Sequence, residues 1–339
     1  MTIITSINAK GGCGKSTIAM NLATGLSMLG LDTLLIDMDP QAQVTQWLGA
    51  GDGLRPEGTL AAAFAGSESF ADIVQATRYP NLFFVASSEG LEDVGRAITD
   101  REGYATLLTG MLAQSPRQYA FVIIDSPNQI SPIMENAIYP SDLFIVPFES
   151  TKAVRSYANF FKLLMRLRPG EEHRLLHVLV NLSRQQGLRN RVLQSMELHG
   201  IPRAASEVRT CGWLAQVDEH GGSIFHYRPY SKGAADLFAL RREVVELLSR
   251  QHPELLAVLQ KADAMSPPPK KQITEEQTTS DSLSQSAAPA GETASSDRAT
   301  ETIAGCDVPD DVDVASRRND TNTTPPQTGP LPAHLNTQP

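Results

Sequence analysis

Residues 8–17 read Asn8-Ala9-Lys10-Gly11-Gly12-Cys13-Gly14-Lys15-Ser16-Thr17, and this stretch decides the fold. It is a phosphate-binding loop carrying one lysine beyond the ordinary pattern. G-x-x-x-x-G-K-[ST] puts its first glycine at position 9, where this chain has Ala9. Lys15 stands at the usual phosphate-lysine position, and Lys10 lies at the mouth of the same loop. A second cation there makes sense if it neutralises phosphate charge, in its own subunit or in a facing one.

The flanks agree. Residues 2–7 form a short β-branched run suited to a buried strand, and 17–29 are rich in Ala, Leu and Met. Strand, glycine-rich turn and helix aim backbone N–H groups and a helix N-terminus at a phosphate. Gly11, Gly12 and Gly14 let the main chain approach phosphate without a Cβ clash. Ser16 is placed to give its hydroxyl to Mg²⁺, and Thr17 its backbone and side chain to the α-phosphate region. Cys13 fills the variable position as a small residue.

Two further pieces follow in order. Residues 33–36 are apolar and run into Asp37-Met38-Asp39-Pro40-Gln41. Carboxylates at i and i+2 point to one side of an extended strand end, and Pro40 stops the strand. In a doubly wound sheet ligands lie at the carboxyl ends of the strands. Asp39 is therefore expected to orient the water that attacks the γ-phosphate, and Asp37 to help hold hydrated Mg²⁺. The third piece is Ala120-Phe121-Val122-Ile123-Ile124-Asp125-Ser126-Pro127, an apolar strand ending in one Asp. That is the Walker B pattern, in which Asp125 binds a water of the Mg²⁺ shell. A solvated turn or a buried strand ending in Asp explains each piece alone; the ordered set is what points to nucleotide.

Strand-like runs at 2–7, 33–37, 82–86, 120–125, 142–147 and 175–181 alternate with helical patterns. The helical patterns fall at 16–29, 40–48, 58–76, 103–114, 152–167, 188–199 and 234–262. The alternation predicts an α/β fold, a mostly parallel doubly wound sheet of P-loop NTPase type covered on both faces. Val154, Tyr157, Phe161, Leu164 and Leu167 fall at helical spacing, as core or as a dimer face.

Composition divides the chain near Met265. Residues 266–339 hold no Phe, Tyr or Trp, ten prolines, and 5 Lys+Arg against 11 Asp+Glu. Such a segment cannot offset its ordering entropy, so a disordered acidic tail is expected behind an ATPase domain at 1–265. Of the net charge of −9, the tail thus contributes −6 and residues 1–265 only −3. Cysteines at 13, 211 and 306 are odd in number and far apart, which suits a reduced cytoplasmic protein better than a disulfide framework or metal site. The chain opens into a strand, so neither a signal peptide nor an N-terminal helix-turn-helix is expected, and no apolar run approaches a membrane span.

On these residues the chain resembles the ParA/MinD family of deviant-Walker ATPases. The likeness rests on Lys10-Gly-Gly-x-Gly-Lys-Ser, on Asp-x-Asp-Pro-Gln at 37–41 and on Ile-Ile-Asp-x-Pro at 123–127. Tyr230-Ser231-Lys232-Gly233-Ala234 resembles the run that opens the last helix of ParA proteins. The resemblance spans about residues 1–250. It implies ATP and Mg²⁺ as cofactors, slow hydrolysis accelerated by a partner protein of ParB-like or adaptor type, and a face-to-face homodimer closed by ATP, with Lys10 reaching the nucleotide across the interface. Catalysis then falls to Lys10, Lys15 and Asp39, with nucleotide bound by Lys10, Gly11, Gly12, Cys13, Gly14, Lys15, Ser16 and Thr17, and the metal held by Ser16, Asp37 and Asp125.

Positive charge rises late in the domain, with Arg184, Arg189, Arg191, Arg203 and Arg209, then Arg228, Lys232, Arg241 and Arg242. The resemblance implies binding to DNA without sequence preference through arginines of this region, which places the protein on the nucleoid; Arg189 and Arg209 are the expected contacts. The competing reading is a set of solvated arginines paired with Glu197, Glu207 or Asp218. Asn181, at a strand end, is a candidate adenine contact or a simple cap. The chain departs from ParA proteins at 208–230, where Thr210-Cys211-Gly212-Trp213-Leu214-Ala215 replaces the usual Glu-Ala-Pro segment.

The alternatives are a MinD-type membrane-cycling ATPase and a nucleotide-binding scaffold with little hydrolysis. Pro253 interrupts the helical stretch that would serve as a terminal membrane helix, and 74 polar residues follow it, so no stable membrane association is expected. Asp39 and Asp125 argue against the scaffold. An iron–sulfur reductase lacks its cysteines here, and a tyrosine kinase its terminal tyrosine cluster. A cytoplasmic ParA-type ATPase that segregates or positions a cargo is the reading carried forward.

Overall fold

A computed structural model describes residues 1–52, 58–180 and 186–265. The tail expected from 266 onward and Asn181 lie outside the described residues. In chain order the elements are β1 (Thr2–Ser6), α1 (Lys15–Ser27), β2 (Thr33–Asp37), α2 (Gln43–Asp52), α3 (Leu60–Ala65), α4 (Phe70–Ile73) and β3 (Gln75–Ala76). Then come β4 (Leu82–Val85), α5 (Gly90–Ala97), α6 (Leu107–Ala113), β5 (Phe121–Asp125), α7 (Pro132–Ile138), β6 (Leu143–Phe148) and α8 (Thr151–Leu167). The remainder are β7 (Leu175–Val180), α9 (Gln186–Leu198), β8 (Glu207–Val208), α10 (Val217–His220), α11 (Ile224–Tyr227), α12 (Lys232–Leu248) and α13 (Glu254–Met265).

The strands lie in the order β3-β4-β2-β5-β1-β6-β7-β8. Every pairing is parallel except that of the two-residue edge strand β3. All residues of β1, β2, β5 and β6 are buried, as expected for parallel strands covered on both faces. The period of two sorts their side chains. Leu35 and Ile123 join the core beneath α1 and α12, together with Ile18, Leu22, Leu240 and Val244. Leu34, Ile36, Val122 and Ile124 join the core on the opposite face, with Leu91 and Ile133. A third core lies against α8 and contains Phe144, Phe148, Tyr157 and Phe160.

The six strands expected from the sequence are present. The expected helix at 58–76 is instead α3, closed by Gly66 in the left-handed region (φ 81°), then α4 and β3. The expected helix at 234–262 is α12 and α13, with Pro253 between them. Leu255 and Leu259 of α13 turn into the core beside α12. Helix α7 was not expected, although Ser131 accepts from Met134 N at 3.3 Å and Pro132 takes the first turn. Helix α5 packs so closely on α7 that a Cβ at Gly95 would lie 2.8 Å from Ile133 Cγ1.

Candidate functional site

Strand β1 lies between β5 and β6, and the chain passes to β2 on one side and β6 on the other. The crevice of such a sheet opens at this switch point. The register places Ser6, Asp125 and Asp37 in one row across β1, β5 and β2. The three motifs far apart in sequence therefore meet at one sheet end, with the phosphate loop leaving β1 directly above them.

Gly12 and Gly14 adopt positive φ of 71° and 95°, a conformation that glycine takes without strain. Gly14 caps α1 with no side-chain hydrogen bond, so the first turn of α1 keeps its N–H groups for an anion. Ser6 Oγ donates to Lys15 O at 3.0 Å and ties loop to strand. Lys15 is buried, and its Nζ donates to Lys10 O at 3.2 Å. The Cys13 thiol donates to the same carbonyl at 3.2 Å. Burial raises the Cys13 pKa, so the residue packs as a thiol and is no nucleophile.

Lys10 reaches the rim. Its ammonium donates to Gly11 O at 3.2 Å and is ion-paired with Glu149, one residue past the end of β6. Glu149 Oε1 also accepts from Ser150 Oγ at 2.8 Å, and its Oε2 is buried without a partner.

The three carboxylates differ. Asp37 is buried and fully engaged: Oδ2 accepts from Thr45 N at 2.9 Å and Thr45 Oγ1 at 2.8 Å, and Oδ1 from Asp39 N at 3.1 Å. Burial pushes its pKa up to about 7 against the opposing pull of those donors. Asp125 is buried with neither oxygen hydrogen-bonded. Desolvation raises its pKa well above the usual carboxylate value, and the nearby Asp37 raises it further. Lys15 and the Ser16 hydroxyl pull the other way, although Ser16 makes no hydrogen bond of normal geometry to it. Asp39 Oδ1 accepts from Gln41 N at 3.0 Å, and Ser87 Oγ holds the Asp39 carbonyl at 2.8 Å.

A cleft of about 550 Å³ opens above this row. Its floor is Gly11, Gly12 and Gly14 to Thr17; Asp39, Gln41 and Asn128 form one side, and Trp47, Leu214, Ala215 and Val217 supply apolar surface. The donor set fits a nucleoside triphosphate with Mg²⁺: free helix N–H groups and Lys15 for phosphate, and an orphaned buried carboxylate beside a serine for the metal. An unpartnered buried carboxylate is costly in a nucleotide-free chain, and a cation is its natural complement. Mg²⁺ keeps several waters and takes only one or two protein groups besides phosphate, which is what Ser16 and Asp125 offer. The roles expected for Asp37 and Asp125 thus separate, because Asp37 spends one oxygen on Asp39 N and the other on Thr45 of α2.

The expected DNA-contacting arginines sit outside the cleft. Arg209 grips Asp236 through Nε at 3.1 and 3.0 Å and through an Nη at 2.6 Å. Arg189 pairs with Glu207 at 2.9 Å. Arg241 is a core residue: it donates to Gly25 O at 3.2 Å and stacks on Phe238, so it faces no external phosphate. Arg191 and Arg203 are exposed. Sequence reasoning missed Glu149 and Thr45. A Glu just beyond a central parallel strand was the available signal for the first; nothing local announced the second.

The AAA domain family (AAA_31) matches residues 1–173. The chromosome-partitioning ATPase Soj of Thermus thermophilus is 30% identical over 255 residues, covering 72% of this chain and 94% of Soj. The cell division protein PomZ of Myxococcus xanthus is 29% identical over 240 residues, covering 69% of this chain and 75% of PomZ. Apo McdA of Cyanothece has the same fold, with a TM-score of 0.62 at 22% identity, covering 72% of this chain and 98% of McdA. The chain belongs to the AAA domain P-loop ATPases and, within them, to the ParA/Soj type.

Proposed function

We propose that the protein closes into a face-to-face dimer on binding ATP and Mg²⁺, binds duplex DNA without sequence preference in that state, and uses hydrolysis stimulated by a partner protein to segregate or position a cargo. The observation that carries this reading is the division of labour between two lysines of one loop. Lys15 is buried against the loop, while Lys10 stands at the rim, where it can reach outward. One lysine suffices for phosphate held within a subunit; a second at the rim suits phosphate held by a facing one.

Mg²⁺ would offset the negative charge of the phosphates. Lys15 and the N–H groups of the α1 first turn hold the phosphates in place. Asp39, fixed by its bond to Gln41 N, orients the attacking water. The contribution of these residues is position and charge, which dominate phosphoryl transfer.

DNA contact by Arg209 and Arg189 requires exchanging a carboxylate for a phosphate, so the exposed Arg191 and Arg203 are the cheaper contacts. Their location keeps the protein on the nucleoid in this reading. Among the described residues no helix is long and apolar enough to cross a membrane, and Leu255 and Leu259 of α13 are spent on the core. The test is binding to a random-sequence duplex with and without ATP across a salt series. ATP should promote binding, and the logarithm of the affinity should fall linearly with that of the salt concentration. Binding indifferent to both nucleotide and salt overturns the DNA part of the proposal; an ATP-bound protein that stays monomeric overturns the dimer.

A further inference from the structure

We infer that Trp47 and Asp218 form a clasp across the mouth of the cleft that sets how long a nucleotide stays bound; the inference rests on the nucleotide reading above. Trp47 Nε1 donates to Asp218 Oδ1 at 2.5 Å, across 171 positions of sequence. One partner sits on α2 and the other on α10, the two walls that stand over the phosphate loop.

The indole ring is buried with Val44, Leu48 and Val217 in the core under α1. That burial alone would be met by phenylalanine. What tryptophan adds is one N–H, and it is spent on a carboxylate of the opposite wall. Hydrogen bonds to an ionised acceptor are roughly twice as strong as neutral ones. Asp218 itself is exposed, so it is no core residue recruited by packing.

Each wall is attached to something that matters for the cleft. Helix α2 continues the loop of the catalytic carboxylate: Gln46 Nε2 donates to Gln41 O at 3.1 Å, and Thr45 holds Asp37. The opposite wall, residues 213–220, runs between Gly212 and the Gly221-Gly222 pair, whose φ values are 65° and 70°. Beyond that pair the chain is pinned by Ser223 N donating to Tyr79 Oη at 2.9 Å. Glycine at both ends lets the segment tilt between two anchors, Tyr227 Oη donating to Trp213 O at 3.1 Å and the bond at Ser223, and Asp218 meets Trp47 between them. The loop floor closes the cleft from below, so a nucleotide leaves between the walls. Parting them breaks this bond.

The experiment measures release of a fluorescent mant-ADP from the full chain on dilution into excess ATP. Trp47→Phe keeps the ring and removes the donor; Asp218→Ala removes the acceptor; Asp218→Asn keeps a neutral acceptor. Trp47→Phe and Asp218→Ala are each expected to release about tenfold faster, the size of one hydrogen bond to a charged group. Asp218→Asn should fall between Asp218→Ala and wild type, and the Trp47→Phe/Asp218→Ala double variant should release no faster than either single variant. Thermal unfolding without nucleotide separates this from general loosening, since Trp47→Phe should unfold close to the wild-type temperature. Wild-type release in both single variants, or effects that add in the double variant, overturns the clasp alone. A wild type that binds no mant-ADP overturns the nucleotide reading and the clasp with it.

Discussion

The Lys10 ammonium is ion-paired with the Glu149 carboxylate, 139 positions later in the same chain and just past the end of β6. Both side chains are mostly covered, at 24% and 15% exposure. The pair therefore sits in a medium where an unmatched charge is expensive, and in the proposed dimer Lys10 reaches a second subunit only by exchanging one anion for another. A phosphate of higher charge can win that exchange; an empty partner site cannot.

Lys10→Ala should keep ATP binding and lose ATP-dependent dimerisation, because Lys15 and the α1 N-terminus remain. Glu149→Gln should shift dimerisation to lower ATP concentration, since Lys10 then leaves no carboxylate behind. Sedimentation across an ATP titration reads both. Wild-type dimerisation in Lys10→Ala would remove the rim lysine from the mechanism and leave the family assignment untouched.

Lys15→Ala should abolish ATP binding, since Lys15 is the one cation among the described residues that line the cleft. Asp39→Ala should still bind ATP and slow turnover by about a hundredfold or more, the range for loss of a group that positions or deprotonates a nucleophile. Asp39→Asn retains an acceptor for Gln41 N, so it separates loss of charge from loss of the turn. Phosphate release under single-turnover conditions gives the answer; normal turnover in Asp39→Asn would show that the charge is not needed.

Asp125 is a liability to the nucleotide-free fold. Its folded pKa is raised, so the folded chain holds the proton more tightly than the unfolded chain and loses stability as pH climbs above the unfolded carboxylate value of 3.8. Asp125→Asn should raise the nucleotide-free Tm at pH 8, by about 2–4 °C for each kcal/mol recovered in a domain of this size, while eliminating Mg²⁺-dependent hydrolysis. The gain should vanish toward pH 4. Calorimetry at the two pH values is sufficient, and an equal Tm gain at both would show that the cost of Asp125 is not its charge.

His177 works in the opposite direction. It is buried on β7, stacks on Phe148 at 5.7 Å between ring centroids and is bonded through Nδ1 to Pro202 O at 2.8 Å. Burial lowers its pKa from 6.5 to about 4. The unfolded chain therefore binds more protons between pH 6.5 and 4, and stability drains away as pH falls through that window, by at most about 1.4 kcal/mol per pH unit. His177→Phe should flatten this part of the acid dependence. The readout is the wild-type minus variant difference in urea stability at pH 7 and pH 5, which cancels the contrary trend from Asp37 and Asp125. A difference that does not change with pH would mean that His177 protonates without unfolding.

The central strands and the motifs at their ends were readable because their causes are local. A β-branched run that stops at Asp-x-Asp-Pro or Asp-Ser-Pro carries its own period and its own terminator. The phosphate loop is likewise a contiguous pattern. What could not be read is whatever parallel pairing assembles: the row Ser6, Asp125 and Asp37, the meeting of Lys10 with Glu149, and the division of Asp37 from Asp125 by the donors of Thr45. Charge was also a poor guide to place. Arg241 counted as part of a basic surface in the sequence, yet its stem and guanidinium are spent on Phe238 and Gly25 inside the fold. Helix α5 is hard to read from the sequence because its eight residues, with two glycines and three charged side chains, leave only Leu91 and Val94 as large apolar positions.

The carbonyl of Lys10 accepts from both the Lys15 ammonium and the Cys13 thiol, while the side chain of Lys10 is tied to Glu149. In the proposed dimer, phosphate that draws Lys15 off that carbonyl releases a peptide unit of the residue that also lets go of Glu149. Filling the pocket and arming the rim are then one mechanical event, transmitted through a single amino acid. A loop built this way needs no separate sensor to report that it is loaded.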